Sequence, residues 1–261
     1  VKALTTAQVA TLTSDQLNNM ASDDLQALTT SQVRALTTAQ VNKLTSDQLN
    51  TLTTLQVQTL STAQINALSS EQLNAMASDD LRALTTLQVS KLSNTQVADL
   101  SSDQIVALTA DQVKALTTAQ VASLTSEQLN NMASDDLQAL TTTQVKALTT
   151  TQISTLSSAQ VAVMETADIA TLSAAQAEKL STDAIAALTT AQIKVLTSAA
   201  LNALSSDQLA ALETDDVAAL TTLQVSKLST TQVSKLSTDQ VVALTADQVK
   251  ALTTAQVAAL T

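Results

Sequence analysis

The sequence predicts an all-α solenoid, a superhelix of very short capped helices with one helix per eight residues. Three observations predict it. An apolar anchor recurs every eight residues from Leu4 to Leu260 without an insertion or deletion. A Ser/Thr and Gln pair with the spacing of a capping box follows each typical anchor. A second apolar position then closes a hydrophobic staple around that cap, so the whole chain reads as one internal repeat.

The anchor, position a of an octad a to h, is Leu in 29 of 33 copies and Met in the rest: Met20, Met76, Met132 and Met164. Position b is nearly always Ser or Thr and position e nearly always Gln, as in Thr5/Gln8, Thr37/Gln40, Thr117/Gln120 and Thr253/Gln256. The hydroxyl at b can accept from the backbone N–H at e, while the Gln side chain reaches back to the N–H at b. With b as N-cap, the apolar residues at a and f flank the cap and fix the angle at which the chain enters the helix. Position f is Val, Ile or Leu, with Ala177 the one exception. About one further turn brings f and the next anchor onto the same face, and the next hydroxyl starts a new helix.

A single unbroken helix fits the pattern poorly. Eight residues rotate an α-helix past two full turns by roughly 80°, so no one face would stay apolar. A β-solenoid fits poorly too, because the octad lacks two-residue alternation and the chain has no Gly or Pro for corners. Two aliphatic side chains per octad repay less than the entropy of ordering eight residues. A lone unit is therefore not expected to fold, and stacked units must share one core.

Residues 1–261 read as one uninterrupted array of about 32 octads, with no composition break to mark a linker. The chain opens and closes inside an octad, which leads us to expect a segment of a longer array. A higher-order period is also present: the block Met20 to Leu25 returns at Met76 to Leu81 and at Met132 to Leu137, at intervals of seven octads. Residues 220–260 likewise copy 84–124 closely.

Five octads lack the hydroxyl at b, where Ala21, Ala77, Ala133, Glu165 and Glu213 stand instead. The same five have Asp at e: Asp24, Asp80, Asp136, Asp168 and Asp216. Hydroxyl and Gln are lost together, as a reciprocal cap requires, and a short carboxylate near the helix start is expected to take over. Ala184 and Ala200 replace Gln while Ser181 and Thr197 keep the hydroxyl.

The composition excludes several activities. The chain has no His, Cys, Tyr, Phe, Trp, Gly or Pro, and its net charge is −11. No basic patch or stacking aromatic is available for nucleic acid. A uniform repeat without His, Cys or Tyr offers no unique pocket for general acid–base work, so we expect no enzyme and assign no catalytic residue. The Asp pairs, such as Asp79/Asp80 and Asp215/Asp216, lie on consecutive helical positions and read as caps rather than calcium ligands. The Met residues sit at the anchor and read as core filling. We therefore expect no metal and no cofactor. No apolar run approaches membrane-spanning length. Thr rows of the ice-binding sort are a minor alternative, because capping already explains the hydroxyls at b. Leu55, Leu87 and Leu223 put a large apolar side chain at position d, elsewhere Ala or polar, which marks them as candidates for self-contact or partner contact. Lys and Arg fall mostly at g and h, on what reads as the solvated outer face.

The unit Leu-Thr-Thr-Ala-Gln-Val-x-Ala-Leu, as at Leu116 to Leu124 and Leu252 to Leu260, resembles the tandem arrays of very large bacterial surface or secreted proteins of the kind labelled haem utilisation or adhesion. The resemblance implies an extracellular or cell-surface role in adhesion, matrix or fibre formation. Haem ligation would find no His, Cys or Tyr here. The expected function is structural: a rod, tube or filament whose partners are its own kind or further repeats of the same longer chain. A superhelical scaffold that binds a partner protein or peptide is the alternative. Hydroxyls, amides and carboxylates are expected to face water.

Overall fold

The computed structural model describes residues 1–260; Thr261, which opens one more octad, lies outside the described residues. Numbered in chain order, the helices run from α1 (Thr6–Ala10) to α32 (Thr254–Ala259), each four to six residues long. No strand occurs among the described residues. The octad register of the sequence is the helix register of the structure.

After a six-residue helix the joint is made by positions a and b alone; after a shorter one the last one or two residues of the octad join it. Leu36 ends α4 (Thr30–Ala35) at φ −57°, ψ 136°, and Thr37 opens α5 (Thr38–Lys43) at φ −72°, ψ 157°. Two extended residues turn the chain, and no described residue has positive φ. Helix ends elsewhere commonly need glycine for that turn; here the bend costs no left-handed residue.

The chain forms two compact units, Val1–Met132 and Ala133–Thr261. In each, a helix packs against the helix three further on. In the first unit α1 packs on α4 and α5 on α8 (Thr62–Ala67). In the second, α21 (Thr166–Ile169) packs on α24 (Thr190–Val195), and α22 (Ala174–Lys179) on α25 (Ser198–Ala203). From Val9 to Val233 the residue at f, as in Val41, Leu49 and Ile193, is buried, and so are the anchors from Leu28 to Leu228, whereas Val249 and Val257 in the last coil are about half exposed. Ala177, the small exception at f, is equally buried. Met76, Met132 and Met164 are buried at the anchor position. The core is thus a narrow aliphatic column inside each coil, built without one aromatic side chain.

This assignment has a direct test. Leu116 is buried at the anchor position, so Leu116→Asp should cost several kcal/mol by placing a carboxylate in the column. A denaturation midpoint equal to that of the parent chain would refute the core assignment.

Candidate functional site: the glutamine seam

Wherever Ser/Thr at b and Gln at e both occur, the reciprocal box forms, as at Thr5/Gln8, Thr37/Gln40, Thr117/Gln120 and Thr253/Gln256. In α5 the Gln40 N–H donates to Thr37 Oγ1 at 3.2 Å, and the Thr37 N–H donates to Gln40 Oε1 at 2.7 Å. That half of the glutamine's work is the half the sequence predicts.

The other half lies in its amide nitrogen. Gln40 Nε2 donates to the carbonyls of Val9 (3.0 Å) and Leu12 (2.7 Å), at the end of α1. The pattern repeats in register: Gln120 to Val89 (2.9 Å) and Leu92 (2.8 Å) in the first unit, Gln256 to Val225 (2.9 Å) and Leu228 (2.7 Å) in the second. Each glutamine therefore caps the start of its own helix and the end of the helix four places earlier. Both are places where an α-helix leaves backbone groups without partners. The Leu carbonyls lie 28 residues back from the glutamine, which is three and a half octads. With packing between helices three places apart, a coil takes between three and four helices.

The amides consequently do not face water, as the composition had suggested. Gln8 and Gln16 are exposed, but from Gln32 onward the glutamines at e are buried. The reason is satisfiability: all four polar functions of the amide group and its cap are paired inside the seam, so burial carries no unpaired-group penalty. Glu would complete a capping box equally well, yet no e position holds Glu. A carboxylate has no hydrogen to give the carbonyls beneath. This Gln-only preference was the sequence signal for the seam, and capping alone does not account for it.

A second set of polar contacts runs the other way, from position g. Asn42 Nδ2 donates to the Ala67 carbonyl at 2.6 Å, Asn50 Nδ2 to Ala75 at 2.7 Å, and Gln138 Nε2 to Val163 at 2.9 Å. Arg82 joins this set through its Nε, which donates to Ala107 at 3.1 Å. Position g is therefore partly a link between coils and not only a solvated face.

The variant octads depart from the predicted replacement cap. At Asp24, Asp80, Asp168 and Asp216 the backbone N–H bonds to the carbonyl three residues earlier, at 2.9–3.1 Å, instead of to a side chain at b. The backbone N–H of Glu165 and of Glu213 still favours the ionised form of Asp168 and Asp216, although no reciprocal box closes there. In α10 (Ser78–Ala83) the Ala77 N–H is instead met by Asn50 Oδ1 at 3.3 Å. Asp80, Asp168 and Asp216 are buried, Asp136 half-buried in α17 (Ser134–Gln138), and Asp24 exposed in the first coil. Burial pushes the Asp168 carboxyl up to about 6, with Glu165 beside it adding to the rise and its backbone hydrogen bond opposing it. Asp80 and Asp216 are likewise raised, chiefly by burial. The helix dipole favours a carboxylate at this end, but desolvation outweighs it. Their pair partners Asp79 and Asp215 stay exposed, so the two acids of a pair sit in different surroundings.

Leu55 in α7 (Thr54–Thr59), Leu87 in α11 (Thr86–Ser90) and Leu223 in α28 (Thr222–Lys227) are exposed at 60%, 59% and 60%. They take no part in the core. No described helix is long and apolar enough to cross a membrane.

Seven stretches of the chain, residues 17–54, 73–110, 129–164, 161–198, 186–222, 209–246 and 235–261, match the ALTTAQ repeat. The chain belongs to the ALTTAQ repeat family. No curated protein matches it. The ALTTAQ unit, Ala-Leu-Thr-Thr-Ala-Gln as at Ala115 to Gln120, ends on the seam glutamine. The family unit thus runs from the anchor of the column to the amide that ties one coil to the next.

The amide function is separable from the cap. Gln120→Glu keeps the capping box but turns a carboxylate toward the Val89 and Leu92 carbonyls. It should cost about 2–3 kcal/mol at neutral pH. Gln8→Glu, in the exposed first coil, should stay within about 0.5 kcal/mol. Equal losses in the two variants, read from denaturant midpoints, would mean the amide donors contribute nothing beyond capping.

Proposed function

We propose that this ALTTAQ array is the structural segment of a bacterial cell-surface or extracellular protein, forming a rod, tube or filament that serves adhesion, matrix or fibre formation. The observation that carries this reading is the uniformity of the seam. One hydrogen-bond pattern recurs from coil to coil within each unit, and nearly every octad does the same mechanical work as its neighbours. Catalysis favours the opposite arrangement, a unique pocket with convergent titratable groups. The array acts, on this reading, through its own kind or through further repeats of a longer chain, without enzyme activity or a cofactor. The resemblance of the octads to arrays of large surface and secreted proteins supports the extracellular placement.

Electron microscopy of the purified chain over a range of concentrations tests this reading. Uniform fibres longer than one chain could span are the expected outcome. Discrete short particles at every concentration would overturn the filament and favour a recognition scaffold. The exposed Leu55, Leu87 and Leu223 favour that second reading, since a large apolar side chain left in solvent suits a contact with another protein. Replacing all three with Ser should leave melting within about 1 kcal/mol of the parent, because none is in the core. If they mediate association, the triple variant should remain dispersed at concentrations where the parent assembles. Threonine rows of the ice-binding kind remain the least supported use, because the hydroxyls at b are held in caps.

A further inference from the structure

The seam is interrupted in several places, and three helices, α17, α21 and α23 (Thr182–Ala186), lack glutamine both at their own e position and at the e position in register with their end. Of these, α21 has its carboxylate most deeply buried. Its own e residue is Asp168, 2% exposed. In this unit Gln176 and Gln192 donate to carbonyls 31 and 28 residues back. The same register sets the Leu137 and Leu140 carbonyls across the seam from Asp168. A carboxylate there has no hydrogen to offer them. On the other side of α21, the residue in register with the Ile169 and Leu172 carbonyls is Ala200, wholly buried and without any amide. So α21, only four residues long, lacks the glutamine donor both below and above.

We propose that Asp168 makes this seam a proton-operated joint: ionised, it faces the carbonyls of the preceding coil as one oxygen against others, and protonated, its carboxyl donates the hydrogen that glutamine supplies elsewhere. Asp is one methylene shorter than Gln, about 1.5 Å of chain, so the protonated joint closes by drawing the two coils together. Only Glu165 among the charged neighbours acts on Asp168. The helices packed on α21 or stacked in register with it carry Lys146 in α18 (Thr142–Ala147), Lys194 in α24, and Asp135 and Asp136 in α17, while α25 carries no charge. The carboxyl is held above its ordinary value in the folded chain. Its proton therefore favours folding below about 3.8, and that contribution is lost as the pH rises through about 6. Mild acid tightens the joint and neutral pH loosens it.

Amide hydrogen exchange at Ile169 and Leu172 in the full chain, at pH 5 and pH 7 and corrected for intrinsic rates, reads the joint directly. Protection should be about tenfold greater at pH 5 than at pH 7. In Glu165→Thr/Asp168→Gln, which restores the common octad, and in Asp168→Asn, which keeps the shape without the charge, that pH dependence should vanish. Asp80 and Asp216 are unchanged in both variants, so their titration cancels in the comparison. Identical pH profiles in the parent and both variants would overturn the proposal.

Discussion

The structure rests on one bifunctional group, the side-chain amide at position e. Its oxygen closes the first turn of one helix and its nitrogen closes the last turn of another, 28 residues earlier. A helix of five or six residues has most of its backbone groups at its ends, where no intrahelical partner exists. Such a helix is untenable alone. The amide removes that objection by making the end of most helices the business of a neighbour in the next coil. Local and long-range structure are then stabilised by the same atoms, which is why neither forms well without the other.

The unusual composition follows from this arrangement. Carbonyls at helix ends are commonly satisfied by a left-handed glycine turn, and here the glutamine of another coil does that work, so a chain without glycine can end helices dozens of times. The column inside each coil is only as wide as facing rows of Leu and Val, Ile or Leu, and a ring would overfill it. Acidic residues are pushed to the outer helix starts, as at Asp15, Asp47 and Asp103. The exceptions at Asp80, Asp168 and Asp216 are buried and stand out by their raised carboxyls.

The octad was legible as a helix because cap, staple and anchor are local: Thr37, Gln40 and Val41 lie within five residues, and their spacing has one sensible geometry. What joins coil to coil was not legible, because Gln40 and Leu12 are distant in sequence and their pairing depends on how many helices make a coil. The capping reading of Gln was correct and hid the rest of its function, since it left the amide nitrogen unaccounted for and let the side chain be assigned to solvent. The replacement cap at Asp24, Asp80, Asp168 and Asp216 was likewise over-read. A helix can satisfy its third N–H with a tighter backbone bond, as these four do. Position g looked like a plain surface until Asn42 and Arg82 were seen to reach the next coil.

The two kinds of contact between coils have a geometric corollary. Within each unit a helix packs on the helix three places back, while its glutamine ties to the carbonyls at the end of the helix four places back. Each octad is thus lapped over two others, as a brick is over the course beneath, and pulling one out means breaking its hold on both.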